Sequence, residues 1–394
     1  MDEMTLPECT VIGVGVSGGA DSLFLTVMLK EWAKEKGIKL IALTVNHNLR
    51  AEAVAEAKHV ARQMKKYGIE HHILTYTGEK PTSRIEEKAR NIRYTLLQNF
   101  CDKHNILCLC LAHHSDDQAE TFFARLARGS GLDGLCAIHP VSKRGKLTLI
   151  RPLLTLNKTD ILDTLKAKRL TWAEDPMNQD ETFERVRWRK QLTTLWQTGL
   201  TKAGLLLTAK RLQRAKQALD FYTDLFWEQS VQIDNRGFAK INVTDFKNIP
   251  LEIRLRVLAK ALEIIGQSGQ PISMEALEKA LTTMKRRFTL AHCHVITHRK
   301  LIFIAKEYAR QEKEKKVPAK RWTQWDRFRI WCDVDATIYA GTTKKTNKNI
   351  PYLVQQSFPI IEIKKTLEKN QKLDYNLNSS HIKTLIEFVA KKDI

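Results

Sequence analysis

The run VIGVGVSGGADS at residues 11–22 decides the fold. Val11 to Val16 mixes β-branched residues with glycine and carries no polar side chain, the composition of a strand buried on both faces. Ser17-Gly18-Gly19-Ala20-Asp21-Ser22 then breaks the strand, and helical periodicity runs on to Lys36. Two glycines permit a tight turn whose amides point inward, and the helix brings the positive end of its dipole, so the loop can cradle a pyrophosphate. Ser17 and Ser22 add hydroxyl donors. Asp21 suits an anion site if it holds a Mg2+ that bridges phosphates. No G-x-x-x-x-G-K-S/T string is present, and Gly13, Gly15 and Gly18 match G-x-G-x-x-G only with the first two inside the strand. The structural alternative is a Gly-Gly turn that merely starts a helix.

Working outward, strands are predicted at Thr10–Val16, Lys39–Asn46, His71–Thr77, Ile106–Ala112 and Leu147–Arg151. Helices are predicted between them at Asp21–Lys36, Ala51–Lys66, Arg84–His104, Asp116–Arg128 and Lys158–Lys168. This alternation predicts an α/β fold, a doubly wound parallel sheet of Rossmann-like type whose ligand site lies beyond the carboxyl ends of the strands. The pattern then changes. Lys202–Gln229, Leu251–Ile265 and Met274–Met284 are helical in period, and Arg287–Ile296 with Lys300–Lys306 reads as a hairpin. A charged stretch from Glu307 to Arg321 resembles a linker or solvated edge, followed by a β-rich Trp325–Asp333 and a terminal helix near Ser380–Lys391. Three domains are expected: 1–200 nucleotide-binding and catalytic, 201–306 helical and ending in a β-hairpin, and 307–394 small and α+β.

Apolar residues make up 43% of the 394 and charged residues 28%, which excludes a disordered or fibrous chain. No stretch approaches the roughly 20 apolar residues of a membrane helix, and Met1-Asp2-Glu3 lacks the basic start of a secretory signal; a cytoplasmic protein without a membrane partner is expected. Seven cysteines are scattered with no C-x-x-C pair, so they read as reduced thiols. A net charge of +21 suggests a polyanionic partner, since Lys and Arg neutralise phosphates; a merely soluble basic surface is the alternative.

Leu111-Ala112-His113-His114-Ser115-Asp116-Asp117-Gln118-Ala119-Glu120-Thr121 follows the fourth strand. Asp117 and Glu120 stand three apart on the opening turns of a helix, so their carboxylates share a face able to bind Mg2+ or to hold an ammonium and take its proton. Asp116 or Ser115 is expected to cap that helix. Zinc at His113 and His114 is the lesser reading, because adjacent histidines diverge and no third ligand is apparent; hydrogen bonds to the nucleotide or the acids fit better. Glu86, Arg90 and Arg93 fall at i, i+4 and i+7, where arginines could meet phosphates or simply pair on an exposed helix. Arg185-Val186-Arg187-Trp188-Arg189-Lys190 reads as a basic surface with a stacking aromatic, or as a solvated helix start. Lys210, Arg211, Arg214 and Lys216 form a further basic helical face.

The hexapeptide at 17–22 resembles the PP-loop of the ATP pyrophosphatases, which cleave ATP between the α and β phosphates and pass AMP to an acceptor oxygen. Together with VNHNLRAEA at 45–53, the set Glu86, Ala89-Arg90 and Arg93-Tyr94, LAHHSDDQAET at 111–121, RLARGSGLDGL at 125–135, RPLL at 151–154 and EDPMN at 174–178 with Arg185, it resembles the tRNA(Ile)-lysidine synthetases over about the first 190 residues. The resemblance implies that ATP adenylates C2 of the wobble cytidine in tRNA(Ile) with a CAU anticodon, and that free L-lysine then displaces AMP to form lysidine. It implies that Ser17, Gly18, Gly19, Ala20 and Ser22 hold phosphates, Asp21 holds Mg2+, and Val45, Asn46 and His47 lie near the adenine. Family functional residues map onto Arg93, Asp117, Glu120 and Arg185: the two acids toward the lysine ammonium or metal, the two arginines toward phosphates or RNA. The partners implied are this tRNA and lysine, with a homodimer left open. Thr289-Leu290-Ala291-His292-Cys293 echoes a Thr-Leu-Gly-Gly-Cys string with both glycines replaced.

Two rivals stand beside this. A tRNA thiolase of the same superfamily needs paired or nucleophilic cysteines near the loop, often with an iron–sulfur cluster, whereas Cys108-Leu109-Cys110 lies on a buried strand, where successive side chains point to opposite faces, and suits neither role. A non-catalytic RNA-binding protein would need its loop or acids eroded, yet Asp21, Asp117 and Glu120 are all present.

Overall fold

Ile12, Gly13 and Val14 are all buried in β1 (Val11–Gly15), as a strand covered on both faces requires. The chain continues through α1 (Ala20–Glu35), β2 (Lys39–Asn46), α2 (Ala53–Lys66), β3 (Glu70–Thr75), α3 (Ile85–Lys103), β4 (Cys108–Cys110) and α4 (Ser115–Ala127). There follow α5 (Leu132–Leu135), β5 (Val141–Arg144), β6 (Leu147–Ile150), α6 (Lys158–Ala167), α7 (Glu184–Gln197) and α8 (Lys202–Ser230). The computed structural model describes residues 9–48, 53–80, 85–173, 184–283, 286–332, 334–341, 348–363, 371–373 and 384–389.

Strand order in the first sheet is β3-β2-β1-β4-β6-β5, parallel throughout except for β5 against β6. β1 therefore has β2 on one side and β4 on the other, which makes the gap beyond β1 and β4 the topological switch point. One face of the sheet buries Leu23, Leu25 and Leu29 of α1, Val60 and Met64 of α2, and Ile161 and Leu165 of α6. The other buries Tyr94, Leu97 and Cys101 of α3 against Leu43, Leu109 and Leu149. Each fully buried leucine or isoleucine contributes roughly 2 kcal/mol of apolar transfer, so the two layers clamp the sheet whose edge carries the site. β5 was not anticipated: Val-Ser-Lys-Arg is polar because it is an edge strand, and it is held by a two-residue turn with Gly145 at φ 59°.

The chain divides into two compact units, Met1–Lys216 and Gln217–Ile394. The second contains β7 (Val231–Asp234), β8 (Phe238–Asn242), α9 (Val243–Asn248), α10 (Leu251–Gly266), α11 (Met274–Thr283), β9 (Arg287–Leu290), β10 (Cys293–His298) and β11 (Leu301–Lys306). Its sheet β7-β8-β11-β10-β9 packs under α10 through Leu258, Ala261, Leu262 and Ile265. Beyond lie β12 (Lys315–Val317), β13 (Thr323–Trp325), β14 (Phe328–Cys332), β15 (Ala336–Gly341), α12 (Tyr352–Gln355), β16 (Phe358–Ile363), β17 (Gln371–Leu373) and β18 (Thr384–Phe388), in sheets β12-β15-β16-β17 and β13-β14-β18.

Three expectations are corrected here. The strand expected over Arg287–Ile296 is two strands, broken where Ala291 and His292 adopt left-handed φ values of 48° and 64°. These are the positions at which the resembling string carries glycine, the residue that adopts this conformation without strain. The strand expected over Trp325–Asp333 is likewise divided, at Asp326 with φ 47°. The terminal helix near Ser380–Lys391 is instead β18 in its described part, pairing antiparallel with β14 from Phe328↔Phe388 to Cys332↔Thr384. Thr384-Leu385-Ile386 favours a strand once a ladder partner is available.

Candidate active site

The loop after β1 turns at Gly18, whose φ of +91° belongs to glycine, and a Cβ there would lie 2.8 Å from Val60 Cγ2. Gly19 caps α1 from an extended conformation with no side-chain cap. The first-turn amides of α1 therefore lack intrahelical acceptors and face the switch point, where an anion can take them. Ser22 Oγ donates to Gly19 O at 3.0 Å and accepts from Ser17 N at 3.2 Å, and the two serine hydroxyls are 3.2 Å apart. Behind the loop, Thr44 Oγ1 donates to Val16 O at 2.8 Å. That hydroxyl proton is spent, so the 2.8 Å contact with His71 is a donation from His71 Nε2–H to Thr44. Burial, with a smaller contribution from His72, holds the His71 pKa below the ordinary histidine value.

Beyond β4, His114 rather than Asp116 or Ser115 caps α4. Its Nδ1 accepts from Asp116 N at 3.2 Å, while Asp117 Oδ2 accepts from His114 N at 2.9 Å, a reciprocal capping box. With Nδ1 accepting, the ring proton sits on Nε2, which lies 3.7 Å from Asp21 Oδ2 and 3.6 Å from Asp117 Oδ2. One buried imidazole thus stands between the carboxylate of the phosphate loop and that of the second motif. Lys158, the first residue of α6, donates to Asp21 Oδ1 at 2.5 Å, and Lys202 pairs with Asp116. Glu120 is turned elsewhere: 2% exposed, its Oε1 accepts from Arg189 Nε and Nη2 of α7, each at 2.9 Å.

Arg93 lies on α3, 5.4 Å from the ring centroid of Tyr94. It is close enough to His47 to act, after burial, in lowering that histidine's pKa. Asn46, at the end of β2, accepts from Asn48 N at 2.9 Å. Val45 is half-buried beside it. The side chains of Arg185 and Glu86, and all of 174–178, lie outside the described residues. The structure therefore brings together Ser17–Ser22, Asp21 and Asp117, groups Arg93 with His47, and puts Glu120 with Arg189. Sequence reasoning passed over Lys158 and the His71–Thr44 support. Lys158 had a usable signal, since it opens the helix that follows β6 at the same edge of the sheet as the loop. Among the described residues no group of three or more His, Cys, Asp or Glu forms a metal site, and no helix is long and apolar enough to cross a membrane. Cys101, Cys108 and Cys293 are buried, and burial pushes each thiol up to about 12.

Residues 5–195 match the model of the PP-loop domain family. The chain is 31% identical to tRNA(Ile)-lysidine synthase of Wolbachia pipientis wMel, over 97% of this chain and 94% of that protein. It is 34% identical to tRNA(Ile)-lysidine synthase of Ruegeria pomeroyi, over 75% of this chain and 71% of that protein. Among solved structures it is similar to the U34-tRNA thiolase NcsA from Methanococcus maripaludis with its 4Fe-4S cluster, at 21% identity and TM-score 0.46, covering 52% of this chain and 73% of that chain. With nearly the whole length of one such synthase matched, and the loop, the HHSDD segment and their shared imidazole in place, the chain belongs to the tRNA(Ile)-lysidine synthase family.

Proposed function

We propose that this chain ligates lysine to C2 of the wobble cytidine of tRNA(Ile) with a CAU anticodon, converting ATP to AMP and pyrophosphate. The observation that carries the reading is the meeting of Asp21 and Asp117 on His114, beside an uncapped glycine turn at the switch point. The cytidine C2 oxygen attacks the α-phosphorus, the bond to the β-phosphate oxygen breaks, and pyrophosphate leaves. The lysine ε-amine then attacks C2, the C2–O bond breaks with AMP as leaving group, and the amine loses a proton.

In this reading the amides of Gly18, Gly19 and Ala20 hold the departing pyrophosphate with the hydroxyls of Ser17 and Ser22, while Val45, Asn46 and His47 line the adenine side. A free lysine amine is protonated near neutrality, with a pKa of about 10.4, so it needs a carboxylate to receive it and accept its proton. Asp117 serves there, oriented by the His114 amide, and Glu120, one turn further along α4 and paired with Arg189, anchors the helix that carries it. Arg93 and Arg185 meet phosphates of ATP or RNA. Asp21 also fits Mg2+, which takes one or two carboxylates plus phosphate oxygens and would neutralise charge on them; Lys158 holds that carboxylate in position. Sulfur delivery is disfavoured, because burial keeps Cys108 and Cys110 as thiols.

The test is mass analysis of nucleosides after incubation with tRNA(Ile), ATP and labelled lysine. The expected product is lysidine with one AMP per lysine incorporated; a sulfur-containing nucleoside would replace this reading with thiolation. Asp117→Asn keeps the capping oxygen but removes the charge, so lysine transfer should fall by at least about 100-fold while tRNA affinity stays within a few-fold. Unchanged turnover would remove Asp117 from the mechanism.

A further inference from the structure

Tyr94 is 5% exposed, and three guanidinium carbons lie against its ring: Arg90 at 5.2 Å, Arg93 at 5.4 Å and Arg144 at 5.3 Å from the centroid. Arg151, buried just past β6, packs into the same group and donates to His139 O at 2.8 Å and Ser142 Oγ at 3.0 Å. Arg144 Nε donates to Gln98 Oε1 at 3.2 Å, and Arg125 Nη1 donates to Gly134 O at 2.8 Å and Ala137 O at 3.0 Å. The described hydrogen bonds of Arg125, Arg144 and Arg151 end on carbonyl, amide and hydroxyl oxygens, not on carboxylates. Burial lowers the pKa of Arg125 and of Arg151; Arg90 lowers Arg125 further, while at Arg151 Tyr94 acts against the shift and Arg90 adds to it. Burial would raise the Tyr94 hydroxyl, yet Arg90, Arg93 and Arg151 together bring it below the usual tyrosine value. Three guanidiniums thus converge on one ring, and the aromatic face serves as a platform that fixes their directions.

We propose that this arginine cluster around Tyr94 binds phosphodiesters of the RNA strand that presents the target base. The proposal rests on the ligation reading for the identity of the RNA, and on α3, β5 and the end of β6 for its geometry. Those elements are distinct from the β1 turn and α1; Arg93 neighbours His47 on the adenine side, so the test falls on Arg90 and Arg144. The β5–β6 hairpin adds exposed Lys143 and Lys146 along an open sheet edge, which suits an extended polyanion better than a single nucleotide. Planar guanidiniums offer paired donors to phosphate oxygens, and the cluster carries no base-reading pattern, so it anchors the strand instead of specifying its sequence.

Arg90→Gln and Arg144→Gln test this, with tRNA binding read by filter retention over a salt series and ATP binding read separately by equilibrium titration. Each replacement should weaken tRNA binding at least about fivefold and make the log–log salt slope shallower by about one, with ATP affinity within twofold. Unchanged tRNA affinity and slope in both variants would overturn the proposal, and so would a loss confined to ATP, which would make the cluster part of a triphosphate site. Arg90 is exposed, so its variant stays informative if thermal melting shows that Arg144→Gln loosens the β5 edge. Binding is read without turnover, so a wild-type protein that binds tRNA but forms no lysidine counts against the ligation reading alone.

Discussion

His71 lies on β3, two strands away from the phosphate loop, yet it supports that loop through a relay: His71 Nε2–H to Thr44 Oγ1, and Thr44 to the carbonyl of Val16, the residue before Ser17. Burial keeps the ring neutral in the folded chain, while in the unfolded chain it titrates near the ordinary value of 6.5. Between that value and its lower folded value the unfolded state binds more protons, so this residue's contribution to stability is complete above 6.5 and is lost as pH falls below it. His47, His139 and His294 are lowered chiefly by burial as well and add in the same direction. Melting temperature should therefore drop on acidification from about pH 7 to about pH 5. His71→Gln, which keeps an N–H donor for Thr44 and removes the titration, should make that drop shallower. An identical pH profile in the variant would remove His71 from the account. Nothing in the string His71-His72-Ile73 announces this relay, because it depends on the β2–β3 register that pairs Ala42 with His71.

At the scale of elements, α4 is fixed at both ends of its first two turns, by the His114–Asp117 capping box and by the Glu120–Arg189 fork that draws α7 onto it. Glu120 is buried while Arg189 is half exposed, so removing the arginine strands a carboxylate away from water and the solvent recovers only part of the loss. Arg189→Ala is expected to destabilise the first unit by about 1–3 kcal/mol in urea unfolding, and Glu120→Gln combined with Arg189→Ala to recover part of it. Additive losses in that cycle would mean that the pair contributes no coupling. Elements were legible where burial dictates composition: β1, β2, β4 and β6 are covered by helices and stand out as apolar runs. They were not legible where pairing alone makes the strand. β5 is polar at an edge, and β18 reads as a helix until β14 supplies its ladder. Fixed spacing made SGGADS and HHSDD readable, whereas Lys158 is signalled only by its place at the start of the helix after β6, and its pairing with Asp21 depends on how α1 and α6 pack.

For the molecule as a whole, 65 basic against 44 acidic residues leave a charge of +21 that no internal ion-pair network can neutralise. Ion pairs such as Asp21 with Lys158, Asp116 with Lys202 and Glu120 with Arg189 cancel charge on both sides equally, so the surplus remains arginine and lysine. Self-repulsion of that size opposes folding, and a polyanionic partner relieves it by taking up the charge and releasing its own counterions. Counterion release makes a quantitative demand: log affinity for tRNA falls linearly with log salt, with a slope of about −0.7 to −0.9 per phosphate neutralised. If four or more phosphates are met, the slope should be about −3 or steeper, and affinity should drop by roughly two decades between about 50 and about 200 mM salt. ATP, a single small anion gripped largely by backbone amides of one loop, should lose far less over the same range. A tRNA affinity as insensitive to salt as that for ATP would mean that the surplus is a solubility feature and that the RNA is gripped by uncharged contacts instead.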